Sequence, residues 1–464
     1  PMKNQDDGTL SLFDDFPPAY EPATLPPLAA AKKPRAKRKV AEPKVEVADA
    51  HAHIETTLHL AGLVEPQRRR NSPWARLDTT PSPHSAKIPH VMIVITKGET
   101  GGAQSHVLAL CQALQQHVKF TVVIGGPVHT SALGRDLALL GVNVCPMPHM
   151  VESLNPFKLW PAVQALIKLI DAFPPDIIHA HSAIAGLAAR LACKSTARPV
   201  VYTVHGFGFK PEVPLLRRIA SALAERMLAR WTTQMICVSK FERELAFNLA
   251  IDPERVHIIA NGIAPLTTPE ASESNPSGNP RLIMVARMKS PKRHDLLLQA
   301  LAKVRNILGY ELSVTLAGDG PLTAKLRAQA TALNLQNITW AGDVDHVSEL
   351  LSQHEVFVLL SDHEGMPITV LEAMRAGLCV LASDLPGIRE QINTNQEGLL
   401  VPNTPEAVAD QLIRLVREPH LRKRLGRAAQ TVFNTSFTQA QMASGVLEVY
   451  QKCITHDAPT SRPT

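Results

Sequence analysis

The sequence lacks any uninterrupted apolar run of the roughly 18 to 20 residues that a membrane-spanning helix needs. It has only six cysteines in 464 residues, none in a Cys-x-x-Cys pair. Neither a zinc site nor a disulfide framework is therefore indicated, and we interpret the cysteines as reduced thiols. The first residues, Pro1 to Asp7, are polar and lead into no apolar core of a signal peptide. Together these absences predict a cytoplasmic protein.

The length and composition indicate a two-domain α/β protein. A chain of 464 residues exceeds the roughly 250 to 300 residues at which single cores stop growing. Apolar residues make up 45% and charged residues 19%, which is typical of globular domains. The net charge of +6 and the pI of about 9.0 permit contact with nucleotides, nucleic acid or anionic lipid, but they do not choose among these partners.

Residues 1–87 differ from the rest because they are rich in proline, alanine and basic residues, including the run Lys32 to Lys39. Such a stretch cannot bury enough apolar surface to offset its ordering entropy, so a mostly disordered extension is predicted. The basic run could hold nucleic acid or membrane phosphate. Thr9 to Asp15 looks somewhat like a bacterial sliding-clamp peptide. Since short matches of this kind arise often, neither nucleic acid nor a sliding clamp is expected as a partner.

From His90 onward, short apolar runs alternate with segments of helical period, which predicts parallel sheets with crossover helices. The predicted strands of a first Rossmann-like domain, residues 88–264, are 91–95, 120–124, 176–180, 200–204, 235–238 and 256–259. A polar linker, 265–280, precedes a second Rossmann-like domain, 281–435, with strands at 281–286, 312–317, 338–340, 356–360 and 379–382. A helix at 436–455 is expected to pack back toward the first domain, before a tail at 456–464. Ligands should bind in the cleft at the carboxyl ends of the two sheets.

The segment His363 to Glu372 has the features of an anion site at the start of a helix. Pro367 suits a first helical position, and the free amides of Ile368, Thr369 and Val370 would then face the cleft, where a pyrophosphate is a natural guest. Glu364 and Glu372 could hold hydroxyls at the two ends of a nucleotide-sugar. The alternative is a helix that merely favours acids near its start.

Glu364 and Glu372 resemble the E-x7-E signature of glycosyltransferase family 4, and further motifs match in order. They are Arg287 to Lys292, which resembles the Arg and Lys pair on the donor diphosphate; Ala317 to Leu322, similar to a Gly-Asp-Gly-Pro loop; Asn261 to Ile263, similar to the interdomain turn; and Ser383 to Gly387 and Glu397 to Val401. The resemblance runs from about residue 90 to 453. It implies a retaining enzyme with the GT-B fold, in which two Rossmann-like domains face each other across a cleft.

The resemblance also implies site residues. Catalytic roles fall to Glu364, His205, Arg287 and Lys292. Donor contacts fall to Gly101, Gly102, Arg287, Lys292, Asp319, Gly365, Met366, Pro367, Ile368, Thr369, Val370 and Glu372. A leaving nucleoside diphosphate gains charge as the glycosidic bond breaks, so the two cations and the helix end predict that no metal and no cofactor is required.

In the first domain, Gly101 and Gly102 stand at a strand-to-helix turn, where a phosphate or sugar could approach the backbone closely, although a purely structural turn is the alternative. Thr203 to Phe207 resembles the family's Thr-Val-His-Gly segment, which places His205 beside the donor sugar; a satisfied structural histidine is the alternative. His179, His181 and Phe207 are predicted to shape the acceptor pocket, since the two histidines alternate along one strand end.

The same-face mechanism is favoured by the resemblance over a double displacement. Asn155 to Lys158 and His181 to Gly186 resemble the subgroup that extends polyprenyl-diphosphate-linked sugars for capsule or exopolysaccharide. A UDP-sugar donating a hexose or N-acetylhexosamine to a glycan or lipid-linked acceptor is expected. The alternative function is a GT-B-like binding or regulatory protein without turnover, whose basic extension contacts membrane or nucleic acid.

A predicted helix from about Phe209 to Trp231 is amphipathic and basic, with Arg217, Arg218, Arg226 and Arg230 off its apolar face. Such a helix can lie on anionic lipid, which would place the protein at the inner face of the cytoplasmic membrane. The alternative is a helix that turns its apolar face to the core and its basic side to solvent.

Overall fold

A computed structural model describes residues 88–456, except for gaps at 127, 129–130, 148, 152–154, 210–214, 250, 267–277 and 345. The predicted extension with its clamp-like peptide and basic run, most of the predicted linker and the tail beyond residue 456 lie outside the described residues.

Seven parallel strands form the first sheet, in the order β3-β2-β1-β4-β5-β6-β7. They are β1 His90–Ile95, β2 Lys119–Gly125, β3 Asn143–Met147, β4 Ile177–His181, β5 Val200–Val204, β6 Gln234–Cys237 and β7 Val256–Ile258. Strands β4, β5 and β6 are buried along their whole length, because helices cover both faces of the sheet.

The helices of this sheet are α1 Gly102–Leu114, α2 Ala132–Leu139, α3 Pro156–Ala172, α4 Ala183–Thr196, α5 Leu215–Leu228 and α6 Lys240–Phe247. Helices α3 and α4 contribute to one core cluster, whereas α1 and α2 contribute to the cluster on the other side of the sheet. Asn155 starts α3 by accepting the Phe157 N–H through its side chain at 2.9 Å.

Six parallel strands form the second sheet, in the order β10-β9-β8-β11-β12-β13. They are β8 Leu282–Val285, β9 Val314–Ala317, β10 Ile338–Gly342, β11 Val356–Leu359, β12 Cys379–Ser383 and β13 Gly398–Val401. Its helices are α7 His294–Leu308, α8 Thr323–Ala332, α9 Val347–Ser352, α10 Ile368–Arg375, α11 Pro386–Arg389, α12 Pro405–Arg417 and α13 Pro419–Ser436. The two sheets confirm the predicted pair of Rossmann-like domains.

The last helix, α14 Gln439–His456, returns to the first domain and packs against α1. Gln439 donates through Nε2 to the Ala109 carbonyl at 2.7 Å, and Tyr450 is fully buried in the first domain's core. Helix α14 therefore completes the core of the first domain.

The structure confirms the predicted strands, with ends that shift by one or two residues, and adds β3 and β13. Asn143 and Pro146 interrupt the apolar pattern of β3, and β13 has only four residues at a sheet edge. Among the described residues, no helix is both long and apolar enough to cross a membrane.

Candidate active site

A cavity of about 520 Å³ lies between the carboxyl ends of the two sheets, and both domains line it. This is where parallel sheets place their ligands. Most of the predicted site residues line the cavity: Gly101, Gly102, His205, Arg287, Lys292, Glu364, Gly365, Met366, Pro367, Ile368, Thr369 and Glu372. Residues more than 250 positions apart in the chain thus meet at one site.

Helix α10 points its amino-terminal end at this cavity, since Pro367, Ile368 and Thr369 line the wall. Pro367 is the residue before the helix and not its first residue, because its ψ of 124° is extended. The prediction was one position early. Val370 is fully buried and lies behind the wall. The free amides of this first turn and the helix dipole favour negative charge at the end of α10.

Two cations of the second domain stand at the cavity, and both are engaged. Lys292 donates from Nζ to Glu364 Oε1 at 2.5 Å. Arg287 donates from Nη2 to the Thr100 carbonyl of the first domain and lies 3.6 Å from Glu99 Oε2 through Nη1. Each cation is therefore held by an oxygen that an anionic ligand would replace.

Glu372 stands one turn into α10 and lines the cavity. Burial raises the pKa of its carboxyl to about 7, and Arg375 opposes that rise. The carboxyl therefore changes its protonation state near neutral pH.

At Gly365, in the loop before α10, and at Gly387, which packs against it, there is no room for a side chain larger than hydrogen. A Cβ on Gly365 would overlap the carbonyl oxygen of His205, across the cleft, and a Cβ on Gly387 would overlap the carbonyl oxygen of Gly365. By contrast, nothing lies within 4 Å of a Cβ built on Gly102, and one on Gly101 meets the flexible end of Gln104. Fold packing thus requires glycine at 365, whereas the space beside Gly102 is open.

Four histidine rings cluster on the first domain's side of the cavity: His106, His179, His181 and His205. Neighbouring ring centroids lie 4.2 to 5.4 Å apart. Burial is the main cause of a lowered pKa in each of the four rings, and it lowers the pKa of His106 to about 4. For His179, His181 and His205, repulsion from neighbouring histidines lowers the pKa further. All four rings are therefore neutral at neutral pH.

His179 and His181, which were predicted to shape the acceptor pocket, are both fully buried and do not line the cavity. His179 hydrogen-bonds Tyr450 Oη and Thr203 Oγ1, both at 2.7 Å. His181 Nδ1 lies 3.1 Å from His205 Nε2. Of the histidines predicted for the site, only His205 reaches the cavity wall.

Two further predicted residues lie outside the cavity wall. Phe207 is buried, donates its backbone N–H to Glu242 Oε2 at 3.0 Å and packs on Phe209, so it does not form an acceptor contact. Asp319 accepts from the Gly320 N–H at 2.7 Å and from the Thr323 hydroxyl, so its carboxylate holds its own loop together instead of the donor. The Thr323 hydrogen bond, followed by that from Gly320, lowers the pKa of Asp319.

A buried hydrogen-bond network joins the two domains at the loop before α10, His363 to Met366, which we call the donor loop. Asn261 Nδ2 donates to the Met366 carbonyl at 2.8 Å, and its Oδ1 lies 2.9 Å from His106 Nδ1. Because the amide oxygen can only accept, the ring proton of His106 lies on Nδ1. His106, from α1, thereby fixes a carbonyl beside Pro367 in the second domain.

A second contact across the cleft caps the amino-terminal end of α6. Glu390 of the second domain accepts the backbone N–H groups of Lys240 at 2.7 Å and Phe241 at 2.9 Å. Ser239 accepts the next one, from Glu242, at 3.2 Å. The first three amides of a helix in one domain are thus satisfied partly by a side chain of the other.

Sequence reasoning missed His106, Glu390 and Asp343. Asp343 lines the cavity, where its Oδ1 accepts the Asp319 N–H at 3.1 Å. The spacing Asp343-Val344-Asp345 was a readable signal, although Asp345 lies outside the described residues. His106 and Glu390 carry no local signal, since their partners are about 150 residues away in the chain.

Comparison with known proteins agrees with this geometry. The family described as Glycosyltransferase Family 4 matches residues 100–265, and Glycosyl transferases group 1 matches residues 268–432. The chain is 28% identical over 288 residues to a UDP-Gal:alpha-D-GlcNAc-diphosphoundecaprenol alpha-1,3-galactosyltransferase of Escherichia coli, covering 58% of this chain and 73% of that protein. It is 24% identical over 350 residues to the putative glycosyltransferase EpsD of Bacillus subtilis, covering 72% and 91%.

Solved structures show the same fold. The crystal structure of Anabaena HepE in complex with UDP-glucose superposes with a TM-score of 0.65 at 18% identity, covering 78% of this chain and 100% of that chain. The sucrose-phosphate synthase of Thermosynechococcus elongatus gives 0.68 at 18% identity, covering 80% and 100%. The two family models cover the two domains one each, so the protein is a glycosyltransferase with the GT-B fold, and its first domain is similar to Glycosyltransferase Family 4.

Proposed function

We propose that the protein is a retaining, metal-independent glycosyltransferase that moves a hexose or N-acetylhexosamine from a UDP-sugar to a glycan or polyprenyl-diphosphate-linked acceptor in bacterial surface polysaccharide synthesis. One observation carries the proposal: Arg287, Lys292 and the start of α10 line the same cavity as Glu364 and Glu372. Cations and amides suit a diphosphate, and carboxylates suit the hydroxyls of the sugar and the ribose.

The ion pair of Lys292 and Glu364 supports this assignment of roles. A donor diphosphate would take Lys292 as its partner, which frees Glu364 to accept hydroxyls of the sugar. Arg287 would exchange the Thr100 carbonyl for phosphate in the same way. As the diphosphate leaves, its charge grows, so both cations stabilise the transition state more than the bound donor.

The reaction proceeds on one face of the donor sugar. The acceptor hydroxyl oxygen bonds to the anomeric carbon from the side of the leaving group, while the bond from that carbon to the diphosphate oxygen breaks. The acceptor proton passes to the departing phosphate oxygen, and the configuration at the anomeric carbon is retained. Glu364 orients the sugar by accepting hydrogen bonds from its hydroxyls.

His205 completes the site from the first domain as a neutral ring. Its Nε2 pairs with His181, so Nδ1 is the nitrogen that remains for a sugar hydroxyl. Because burial holds the pKa of His205 well below its usual value, the ring adds no positive charge beside the departing diphosphate.

The donor and acceptor classes follow from the chemistry of the cavity together with the relatives. The Escherichia coli relative is named for UDP-galactose and a diphosphoundecaprenol-linked sugar, and another Escherichia coli relative, 26% identical over 328 residues, is an O-antigen biosynthesis glycosyltransferase. An acceptor on a polyprenyl diphosphate would bring the enzyme to the inner face of the cytoplasmic membrane.

Metal independence is proposed because two side-chain cations and a helix end supply the positive charge that a divalent ion would otherwise supply. Asp343 is the carboxylate to test against this view, since it lines the cavity. Activity that survives EDTA and is unchanged in Asp343→Asn supports metal independence. Activity that EDTA abolishes and Mn²⁺ restores refutes it.

The decisive experiment compares Glu364→Gln with Glu349→Gln, an exposed acid of the same domain outside the cavity. Transfer from UDP-glucose, UDP-galactose and their N-acetylamino forms to an undecaprenyl-diphosphate-linked sugar is measured, with thermal stabilisation by each donor. We expect Glu364→Gln to lose about 10²-fold or more in kcat and the control to lose nothing. Near-normal transfer by Glu364→Gln contradicts the site assignment, and donor binding without any turnover by the wild type favours the non-catalytic alternative.

A further inference from the structure

Helix α5 is amphipathic, but its apolar side faces solvent. Leu215, Ile219, Leu223 and Met227 recur every four residues and form one stripe along the helix, with Leu216 beside them. All five are exposed, Leu216 by 84% and Leu223 by 57%. We call these five residues the α5 stripe. The sequence left open the alternative that this helix turns its apolar face to the core, and that alternative is therefore wrong.

The inner side of α5 is held by a buried ion pair and a few apolar contacts. Glu225 is buried and accepts from Arg190 Nη1 at 2.7 Å and from Nη2 at 3.2 Å, while Arg190 is itself fully buried on α4. Leu228 is also buried. The contacts at Glu225 and Leu228 fix the rotation of α5, so the α5 stripe points outward because of packing.

The outward side of α5 carries positive charge and no negative charge. Arg218, Arg226 and the following Arg230 are exposed, and Glu225, the only acid of the helix, is turned inward. An apolar stripe beside cations fits an interface that offers acyl chains together with anionic headgroups.

Helix α3 adds a second apolar surface on the same side of the sheet. Phe157 is 88% exposed and Trp160 is 61% exposed, and with Leu191 of α4 they border an apolar depression. Helices α3 and α5 both pack on α4, which places both surfaces on one side of the domain. Lys158 beside them is exposed too. Aromatic residues next to lysine are enriched at membrane interfaces.

We propose that the α5 stripe, with Phe157 and Trp160, docks the protein on an anionic lipid bilayer. The stripe lies in the same domain as His205, which lines the cavity, and begins ten residues after it in the chain. Its purpose rests on the proposed lipid-linked acceptor, because docking there holds the cleft near the headgroups. Monomeric proteins rarely expose contiguous apolar surface of this kind without a partner.

The test uses the full chain and vesicles made of equal parts phosphatidylcholine and phosphatidylglycerol. The double variant Leu216→Ser with Leu223→Ser is compared with Leu139→Ser with Ile307→Ser. The control residues are 86% and 58% exposed, which matches the test pair, and lie on α2 and α7. We expect the test variant to co-sediment with vesicles at least about tenfold more weakly than the wild type. The control should bind like the wild type.

Charge is tested separately with Arg218→Gln and Arg226→Gln together, against Arg135→Gln and Arg427→Gln, which are exposed on α2 and α13. The first pair should weaken binding to the mixed vesicles and leave the weak binding to pure phosphatidylcholine unchanged. Every variant keeps the basic residues 32–39. If the extension alone drove binding, the α5 variants would bind as well as the wild type, and the proposal would be wrong.

Insertion of the α5 stripe into the bilayer can be measured independently with a fluorophore. The six native cysteines are buried or half-buried, so Leu216→Cys can be labelled with an environment-sensitive fluorophore. Its emission should rise on anionic vesicles, whereas that of labelled Leu139→Cys should not. A wild-type dimer that becomes monomeric in the Leu216→Ser, Leu223→Ser variant would identify a second copy of the chain as the occupant and overturn the proposal.

Failure of the docking proposal and failure of the proposed function give different results. Transfer to a detergent-dispersed lipid-linked acceptor without any vesicle binding keeps the function and refutes the docking surface. Vesicle binding that depends on Leu216 and Leu223, without transfer to any such acceptor, keeps the surface and refutes the function.

Discussion

The two sides of the cleft carry polar groups of opposite character. The second domain presents ionised side chains, Arg287, Lys292 and Glu364, with a helix end among them. The first domain presents His205, backed by three buried neutral rings, and Lys97 lies on the same wall. Under the proposed function, the second domain meets the charge that changes during the reaction and orients the sugar through Glu364, whereas His205 contacts the sugar as a neutral group.

Removing a cation from the charged side should have the largest effect. Lys292→Ala is expected to lower kcat by about 10² to 10³-fold, since the leaving diphosphate loses a charge-assisted hydrogen bond in the transition state. Steady-state kinetics with a saturating donor measures this. Lys303→Ala, a lysine outside the cavity that pairs with Glu406, is the control and should keep full activity. A loss confined to KM would place Lys292 in ground-state binding.

The contact between the two sides can be broken at a glycine. Gly365→Ala should reduce kcat/KM by about 10²-fold, because its Cβ would push the donor loop away from His205 by a fraction of an ångström or more. Gly102→Ala is the matched variant, since its Cβ enters open space. It should keep the wild-type melting temperature and weaken donor binding only. Unchanged donor affinity in Gly102→Ala would remove Gly102 from the donor site.

Asn261 tests whether the neutral side positions the charged side. Asn261→Ala leaves His106 Nδ1–H and the Met366 carbonyl buried without their partner, which should lower the free energy of unfolding by about 1 to 3 kcal/mol. Urea unfolding measures that loss. KM for the donor should rise in the same variant while the acceptor KM stays constant. An equal rise in both would indicate a general loss of structure.

Glu372 gives the smallest expected effect, through pH. Under the proposed function, ribose hydroxyls donate to its carboxylate, so donor binding favours the ionised form, and affinity should fall by up to about tenfold as pH falls from 8 through its pKa of about 7. The same raised pKa makes the free protein lose stability from this group as pH rises from 4.5 to about 7. Calorimetry with a UDP-sugar, whose diphosphate does not titrate there, measures the affinity. Glu372→Gln should show a flat profile.

The sequence predicts the charged side of the cleft better than the neutral side. The start of α10 depends on neighbouring residues, so Pro367 and Glu364 could be placed within one position. His179 was misplaced because its partner Tyr450 lies 271 residues away, on a helix that returns to the first domain. Similarly, the pattern of α5 shows that one face is apolar, but the pair of Glu225 with Arg190 and the burial of Leu228 decide which face turns outward.

Glu390 gives the cleft a resting position. When the domains separate, the amides of Lys240 and Phe241 lose their acceptor, and a lost cap costs about 0.5 to 2 kcal/mol. Separation must also release Arg287 from the Thr100 carbonyl. The empty enzyme therefore favours this arrangement of the two domains, and any substrate that needs them further apart must offset the loss of both contacts through its own binding energy.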